Sequence, residues 1–530
     1  MSVPADTVSL PQEEPRGALT PEERRAWYGF IAMSFGAFMA FLDIQIVASS
    51  LNQIQAGLSA TATELAWIQS SYLIAEVIAI PLSGYLTRMM STRIYYTVSV
   101  LGFTLASALC AMAWSIESMI LFRALQGFLG GGMIPCSFAA MYALFPSPKK
   151  RLVPQVVAGI TMSTAPVLGP IIGGWITDAT SWHWLFLINL LPGLLVGGLV
   201  WQLVRIDQPD WALWRSIDLR GSAWMALFLG SMQWVLEEGP AHNWLDDDAI
   251  AAWAVVCVVS GLLFFHRVTT HDNPIVSLRP FRNRHFLWAN VAALFLSISL
   301  FATNYIVPVF LGQLRDFTSQ QIGNTLMIGG LSMFMAAPFA ARLTRKYDMR
   351  LLFAFGAMLV AIGSWMMTDL TADTGFAELA LPQFLRGAGF MLALVCCSTL
   401  SLCTLPMSEL KNASAMYSLM RNLGGALGLA SINTIIFWRR AVHEQNLTES
   451  LSLSRAPVRD FVVEHGGWSR ELPMPLVELA MRIERQVSVL TYNDALILIA
   501  WVSCLAVPML LFTSRYRLTE NPQTAAEASH

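Results

Sequence analysis

The chain has 530 residues, 55% of them hydrophobic and 13% charged, where a water-soluble chain carries roughly a quarter charged. Water is therefore not its main solvent, and a lipid bilayer is the expected surrounding. A net charge of −2 and a pI near 6.5 give no bulk attraction to nucleic acid, and none is expected as a partner.

A polar leader (1–26) precedes the first apolar block, 27–50, which runs through Asp43 without a small-residue cleavage site. It reads as a retained span rather than a signal peptide. Five further blocks follow at 65–87, 94–116, 118–145, 152–177 and 182–204, then a pair at 217–236 and 249–265. The last six lie at 286–311, 321–341, 351–368, 377–404, 413–438 and 493–514. Nearly all are long enough to cross a bilayer as helices, so the fold class is an all-α membrane protein with fourteen transmembrane helices.

Lys and Arg set the expected orientation. The segments on the N-terminal side hold 22 of them, while the short loops on the other side hold only Arg315, so both termini, including the tail 515–530, are expected in the cytoplasm. The long outer loop 439–492 carries seven arginines of its own, but long loops obey the charge rule poorly. Its stretch LVELAMRIERQVSVL (476–490) predicts an amphipathic helix, a lid or a partner surface. The seven cysteines lie in apolar spans without CxxC spacing, which reads as core packing rather than a metal site.

A basic phrase occurs twice. PLSGYLTRMMSTR (81–93) and PFAARLTRKYDMR (338–350) share Pro, Leu, Thr and two Arg at an offset of 257, and Gln126-Gly127 aligns with Arg386-Gly387 at an offset of 260. Two six-helix bundles, 27–204 and 286–514, with two helices (217–265) inserted between them would produce both offsets, an arrangement suited to rocking one half against the other. Chance matches in a biased composition, and the topological demand for basic inner loops, are the alternative. Glycines four apart favour the repeat: Gly127 and Gly131, Gly169 and Gly173 (with Gly174 beside it), and Gly424 and Gly428 each stack on one helix face that admits a close neighbour. Static packing accounts for any one of these faces. Three of them, with Pro166 and Pro170 bending the fifth span, point to helices that move against each other.

These motifs resemble the major facilitator superfamily and, within it, the fourteen-helix drug:proton antiporters of the EmrB type. FLDIQIVASSL (41–51) is similar to the first-helix acidic motif of that branch, and the phrase containing Gly84, Arg88 and Arg93 to the loop motif of the whole superfamily. LFRALQGFLGGGMIP (121–135) resembles the fourth-helix motif, and APVLGPIIGGWITD (165–178) the Gly-Pro-rich antiporter motif. SWHWLFLINLLPG (181–193) and RNLGGALG (421–428), which contains Arg421, also fit. One departure stands out: Arg88 and Arg345 occupy the place where the loop motif usually carries an Asp, so the usual charge relay cannot be transferred. The resemblance implies a bacterial inner-membrane exporter of amphipathic compounds, with a periplasmic adaptor and an outer-membrane channel as possible partners.

Five ionisable residues lie well inside the spans: Asp43, Glu76, Arg123, Arg386 and Arg421. Each costs roughly 2.5–3.5 kcal/mol at a helix centre even on a lenient scale, so each needs a reason. Burial favours the protonated form of a carboxylic acid. Asp43, Glu76 or both are therefore expected to carry the coupling proton, with Arg123 favouring the deprotonated state; a permanent ion pair with an arginine is the alternative. No GxxxxGK[ST] phosphate loop is present, so a proton gradient is the expected energy source, and neither cofactor nor metal is expected. Tyr72, Asn304, Tyr305, Arg386 and Asn433 are the candidates for lining a substrate cavity. The rival readings are a transporter of one endogenous metabolite on the same scaffold and a membrane-embedded enzyme. For the enzyme, neither GxSxG nor HExxH is found.

Overall fold

The computed structural model describes residues 20–146, 148–271, 273–450 and 474–513, and all of their regular structure is helical. The leader up to residue 19, residues 451–473 and the tail from 514 lie outside the described residues. Among the described residues, ten helices are long and apolar enough to cross a membrane, and the described part of each of the fourteen expected blocks falls mainly on helix.

Helix α1 (Pro21–Ser49) starts at Thr20, whose hydroxyl accepts the Glu23 amide at 3.2 Å while Glu23 accepts the Thr20 amide at 3.1 Å. This reciprocal cap satisfies two donors that the first helical turn would otherwise leave open. Glu23 also pairs with Lys150 at 2.6 Å; Lys150 first, and the Thr20 amide second, hold its carboxyl below the ordinary value. The clasp is therefore complete above the carboxylate range and lost as pH falls through the lowered value.

The short α2 (Leu51–Leu58) leads into α3 (Ala62–Met90), which opens on a matching cap between Thr61 and Glu64. Next come α4 (Thr92–Ala111), α5 (Ile116–Gly130) and α6 (Met133–Leu144). The fourth block is thus two helices, broken at Gly131-Gly132. Then follow α7 (Pro148–Ala179), the single turn α8 (Trp184–Leu187), and α9 (Leu190–Leu203). These helices pack chiefly on one another, α1 on α7 and α3 on α5 most extensively.

The pair α10 (Leu219–Glu238) and α11 (Asp248–Thr270) pack together, and α10 lies along α3 with its end against α16. The remaining helices are α12 (Arg284–Leu314), α13 (Ser319–Lys346), α14 (Met349–Trp365), α15 (Phe376–Cys403), α16 (Leu410–Ser450) and α17 (Met474–Ala506). They form a second group, in which α14 and α13 both pack on α15, and α16 on α12. The two groups meet mainly where α7 runs along α13 and α3 along α16.

One expectation is corrected here. The helix predicted over 476–490 is present, but the segment is not a free loop: residues 439–450 continue α16 and residues 474–492 begin α17. Hydropathy ends where the charges begin, but helical hydrogen bonding does not. Arg440 on the α16 extension reaches Glu484 on α17 at 3.0 Å, and Tyr492 donates to Gln313 at 2.7 Å. The two extensions are held to each other and to the end of α12.

Candidate functional site

Asp43, on α1, sits within the first helix group and is wholly shielded. Its Oδ2 accepts from Arg123 Nη1 at 2.6 Å, and its Oδ1 accepts from Gln126 Nε2 at 2.9 Å and Asn189 Nδ2 at 2.8 Å. Arg123 Nη1 also donates to Gln126 Oε1 at 2.7 Å, and its Nε to the Ile68 carbonyl at 3.3 Å. The Tyr72 ring lies 4.3 Å from the guanidinium carbon. A buried pair with side-chain donors on both carboxylate oxygens is a fixed ion pair, because removing either charge leaves the other stranded. The geometry at Asp43 is that of the ion-pair alternative. Tyr72, expected in a substrate cavity, is instead fully buried against Arg123.

Glu76 lies one turn further along α3 and is 3% exposed. Arg123 gives Nη1 to both Asp43 and Gln126, and its Nη2 is buried without a hydrogen-bond partner. The Glu76 carboxyl faces the other helix group, where Asn422 Nδ2 on α16 donates to it at 3.4 Å. The glycine face of α5 holds it there: a Cβ on Gly131 would lie 2.8 Å from the Glu76 carbonyl, and one on Gly127 would overlap the Tyr72 carbonyl. This carboxyl is shielded, and its hydrogen-bond partner belongs to the other helix group. It can therefore act as a switch at the contact between the two groups.

The other glycine faces also lie within a group. Gly169 abuts Gln45 of α1, and Gly424 and Gly428 abut the backbone of α12 at Leu294 and Ile298. Gly173 is buried and Gly174 half-buried on α7. The side chains of Pro166 and Pro170 lie outside those described. Arg421 is buried beside Tyr417 and Cys397. Arg386 is buried within the second group, giving Nη1 to Gln383 at 3.0 Å, and does not reach the cavity described below.

The end of the molecule that carries most of the basic residues is fastened. Tyr142 donates to the Ser398 carbonyl at 3.0 Å, Gln155 to Thr399 at 2.7 Å, and Arg151 to the Cys403 sulfur at 2.8 Å. A Cβ on Gly84 would lie 3.1 Å from Lys411 O and Asn412 Cα, so glycine allows α3 to meet the start of α16. Arg88 and Arg93 are half-buried and lie over the Tyr85 and Trp201 rings at 5.4 and 4.2 Å.

Asp207, after α9, brings a carboxylate to the end of the loop phrase. It accepts the Thr92 amide at 3.0 and 3.1 Å and pairs with Lys411, whose Nζ also donates to the Thr87 carbonyl at 3.1 Å. Sequence reasoning missed Asp207 because it lies outside every span, over 100 residues from Thr92. Asp207→Asn should loosen this end: reaction of the buried Cys397 with an impermeant maleimide added at the basic face is expected to rise about twofold to fivefold, the worth of a partly exposed pair. An unchanged rate would mean the pair fastens nothing.

At the opposite end, a cavity of about 500 Å³ opens between α10, α12 and α16. Tyr305 and Asn433 line it; Asn304 is half-buried on α12 and is not part of its wall. Glu237, at the end of α10, is a wall residue that sequence reasoning missed, because it falls just beyond the apolar block 217–236. Among the described residues, no three His, Cys, Asp or Glu side chains gather as a metal site.

The family model described as Major Facilitator Superfamily matches residues 33–429. The chain is 44% identical over 429 residues to the colistin resistance protein EmrB of Acinetobacter baumannii, covering 81% of this chain and 84% of that one. It is 28% identical over 482 residues to the multidrug export protein EmrB of Haemophilus influenzae (91% and 93% covered) and 29% identical over 423 residues to the protein of that name from Escherichia coli K12 (80% and 82% covered). Among solved structures, the proton:xylose symporter XylE superposes with a TM-score of 0.57 at 14% identity, over 96% of this chain and 99% of that one. That likeness concerns the fold alone.

Proposed function

This chain belongs to the major facilitator superfamily, and on that premise we propose that it is a proton-driven exporter of amphipathic organic compounds, drugs among them. Its relatives' names, multidrug export protein and colistin resistance protein, support the substrate class. The observation that carries the coupling is Glu76, a shielded carboxyl whose hydrogen-bond partner is an amide on the other half.

The two bundles, 27–204 and 286–514, tilt about the contact between α3 and α16, with the inserted pair closing the flank. The basic end and both termini face the cytoplasm, and the protein lies in the inner membrane of a bacterium. With the basic end fastened, the outer side receives a proton on Glu76. A neutral carboxylic acid can both donate and accept a hydrogen bond, so it tolerates separation from Asn422 better than a bare carboxylate does. Release to the cytoplasm restores the ion and resets the cycle. Asp43, held by Arg123, Gln126 and Asn189, stiffens the first bundle so that Glu76 keeps its place. The outer extensions of α16 and α17 are the surface for a periplasmic adaptor leading to an outer-membrane channel.

Everted vesicles carrying a pH-sensitive dye test this directly. Adding a lipophilic phenol or a cationic dye should release protons from energised vesicles that contain the protein, and from no others. Export that continues undiminished with an uncoupler present would sink the proposal.

A further inference from the structure

We propose that the inserted helix α10 contributes a recognition group, Glu237, which holds the charged head of a lipophilic organic cation in the outer cavity before it leaves. The proposal rests on the export reading and deepens it by naming a substrate class and a residue that selects it.

The cavity wall is formed by Glu237, Tyr305, Asn433, Phe437, Arg440 and Glu444, with small apolar residues between them. At about 500 Å³ it has the size of a drug-binding cleft. Tyr305 and Phe437 are 38% and 48% exposed, and among the described residues neither packs against another ring, so their faces are open to a ligand. Arg440, the cation in the wall, is already paired with Glu484 at 3.0 Å. Glu237 and Glu444 therefore leave an excess of negative charge beside bare aromatic faces, a combination that attracts organic cations.

The Glu237 carboxyl is anchored by hydrogen bonds from Ser70 and Gln233. Its Oε2 is closed off from solvent without a hydrogen-bond partner, as is Gln233 Oε1 one turn before it. Trp234 is stacked on Trp67 at 4.3 Å, which fixes α10 against α3. The loop after α10 is tied to the second bundle by Trp244 Nε1, which donates to Thr434 at 3.0 Å. Glu237 is thus rigidly placed between the two halves. A carboxyl oxygen left unpaired at such a point gains from a positive charge placed beside it. A neutral or anionic amphiphile could fill the same volume without gaining this term.

The test uses the full-length protein in detergent and tetraphenylphosphonium as the probe, with binding read by equilibrium dialysis. Glu237→Gln should weaken binding about tenfold, the loss of a close charge partner. Glu237→Asp should restore it to within a few-fold, and Phe437→Ala should weaken it about threefold, the worth of one aromatic face. Monodisperse elution of each variant shows that it is folded. Equal binding by wild type and Glu237→Gln, or no binding by wild type, overturns the proposal. Failure of the export reading looks different: tetraphenylphosphonium binding would still depend on Glu237, while everted vesicles released no protons.

Discussion

Glu76→Gln is expected to reduce proton-driven export to the level of vesicles that lack the protein, and to remove proton release on substrate addition. The substitution keeps the length and shape of the side chain. A Gln at 76 still fits against α5, where Gly131 abuts the Glu76 carbonyl, and its amide oxygen can still accept from Asn422. What disappears is the ability to ionise. The variant resembles the protonated protein permanently, so it can move between its two orientations but cannot release the charge that makes the cycle directional. Exchange of labelled for unlabelled substrate across the membrane, which needs no net proton flow, should persist. That split separates loss of coupling from loss of fold. Gradient-driven export by Glu76→Gln at the wild-type rate would remove Glu76 from the mechanism.

Much of this arrangement is legible in the residues. The apolar blocks locate the helices, and the acids and arginines inside them locate the polar groups that need an explanation. Choice of partner is less legible. Asp43 and Glu76 are equally plausible neighbours for Arg123 until the packing of α1 against the first bundle is known; then Asp43 receives Nη1 at 2.6 Å and Glu76 is left facing α16. Composition cannot show this, because it depends on which helix faces meet. Asp207 is hidden for another reason. Its role needs the chain to return to Thr92 from 115 residues away and to find Lys411 a further 204 residues on. The extensions of α16 and α17 escape a hydropathy reading because their charged residues end the apolar signal while the helix continues. The glycine faces were expected between moving parts, yet Gly131, Gly169 and Gly424 pack inside a bundle. Spacing reveals a close-packing face and not the helix that fills it.

Arg123→Ala is expected to cost about 3–5 kcal/mol of stability, the penalty for leaving a buried charge without its partner. Asp43 would retain Gln126 and Asn189 as donors, but two amides do not neutralise a carboxylate, and the Asp43 side chain is closed off from solvent. The Tyr72 ring would also lose the guanidinium stacked at 4.3 Å, and α3 would lose the bond from Arg123 Nε to the Ile68 carbonyl. Because Tyr72 and Glu76 share one face of α3, the damage should spread to the switch. Thermal denaturation in detergent should show a clear fall in midpoint, and Arg123→Lys should recover only part of it, since an ammonium keeps the charge without the planar fork. The double variant Asp43→Asn with Arg123→Gln removes both charges at once and should be more stable than Arg123→Ala alone, a non-additivity that two unlinked sites would not give. An Arg123→Ala protein as stable as wild type would mean that the pair does not hold the first bundle together. If Asp43→Asn instead gave a stable protein that exchanges substrate but cannot couple, the proton would belong to Asp43 and the roles assigned to the two acids would be reversed.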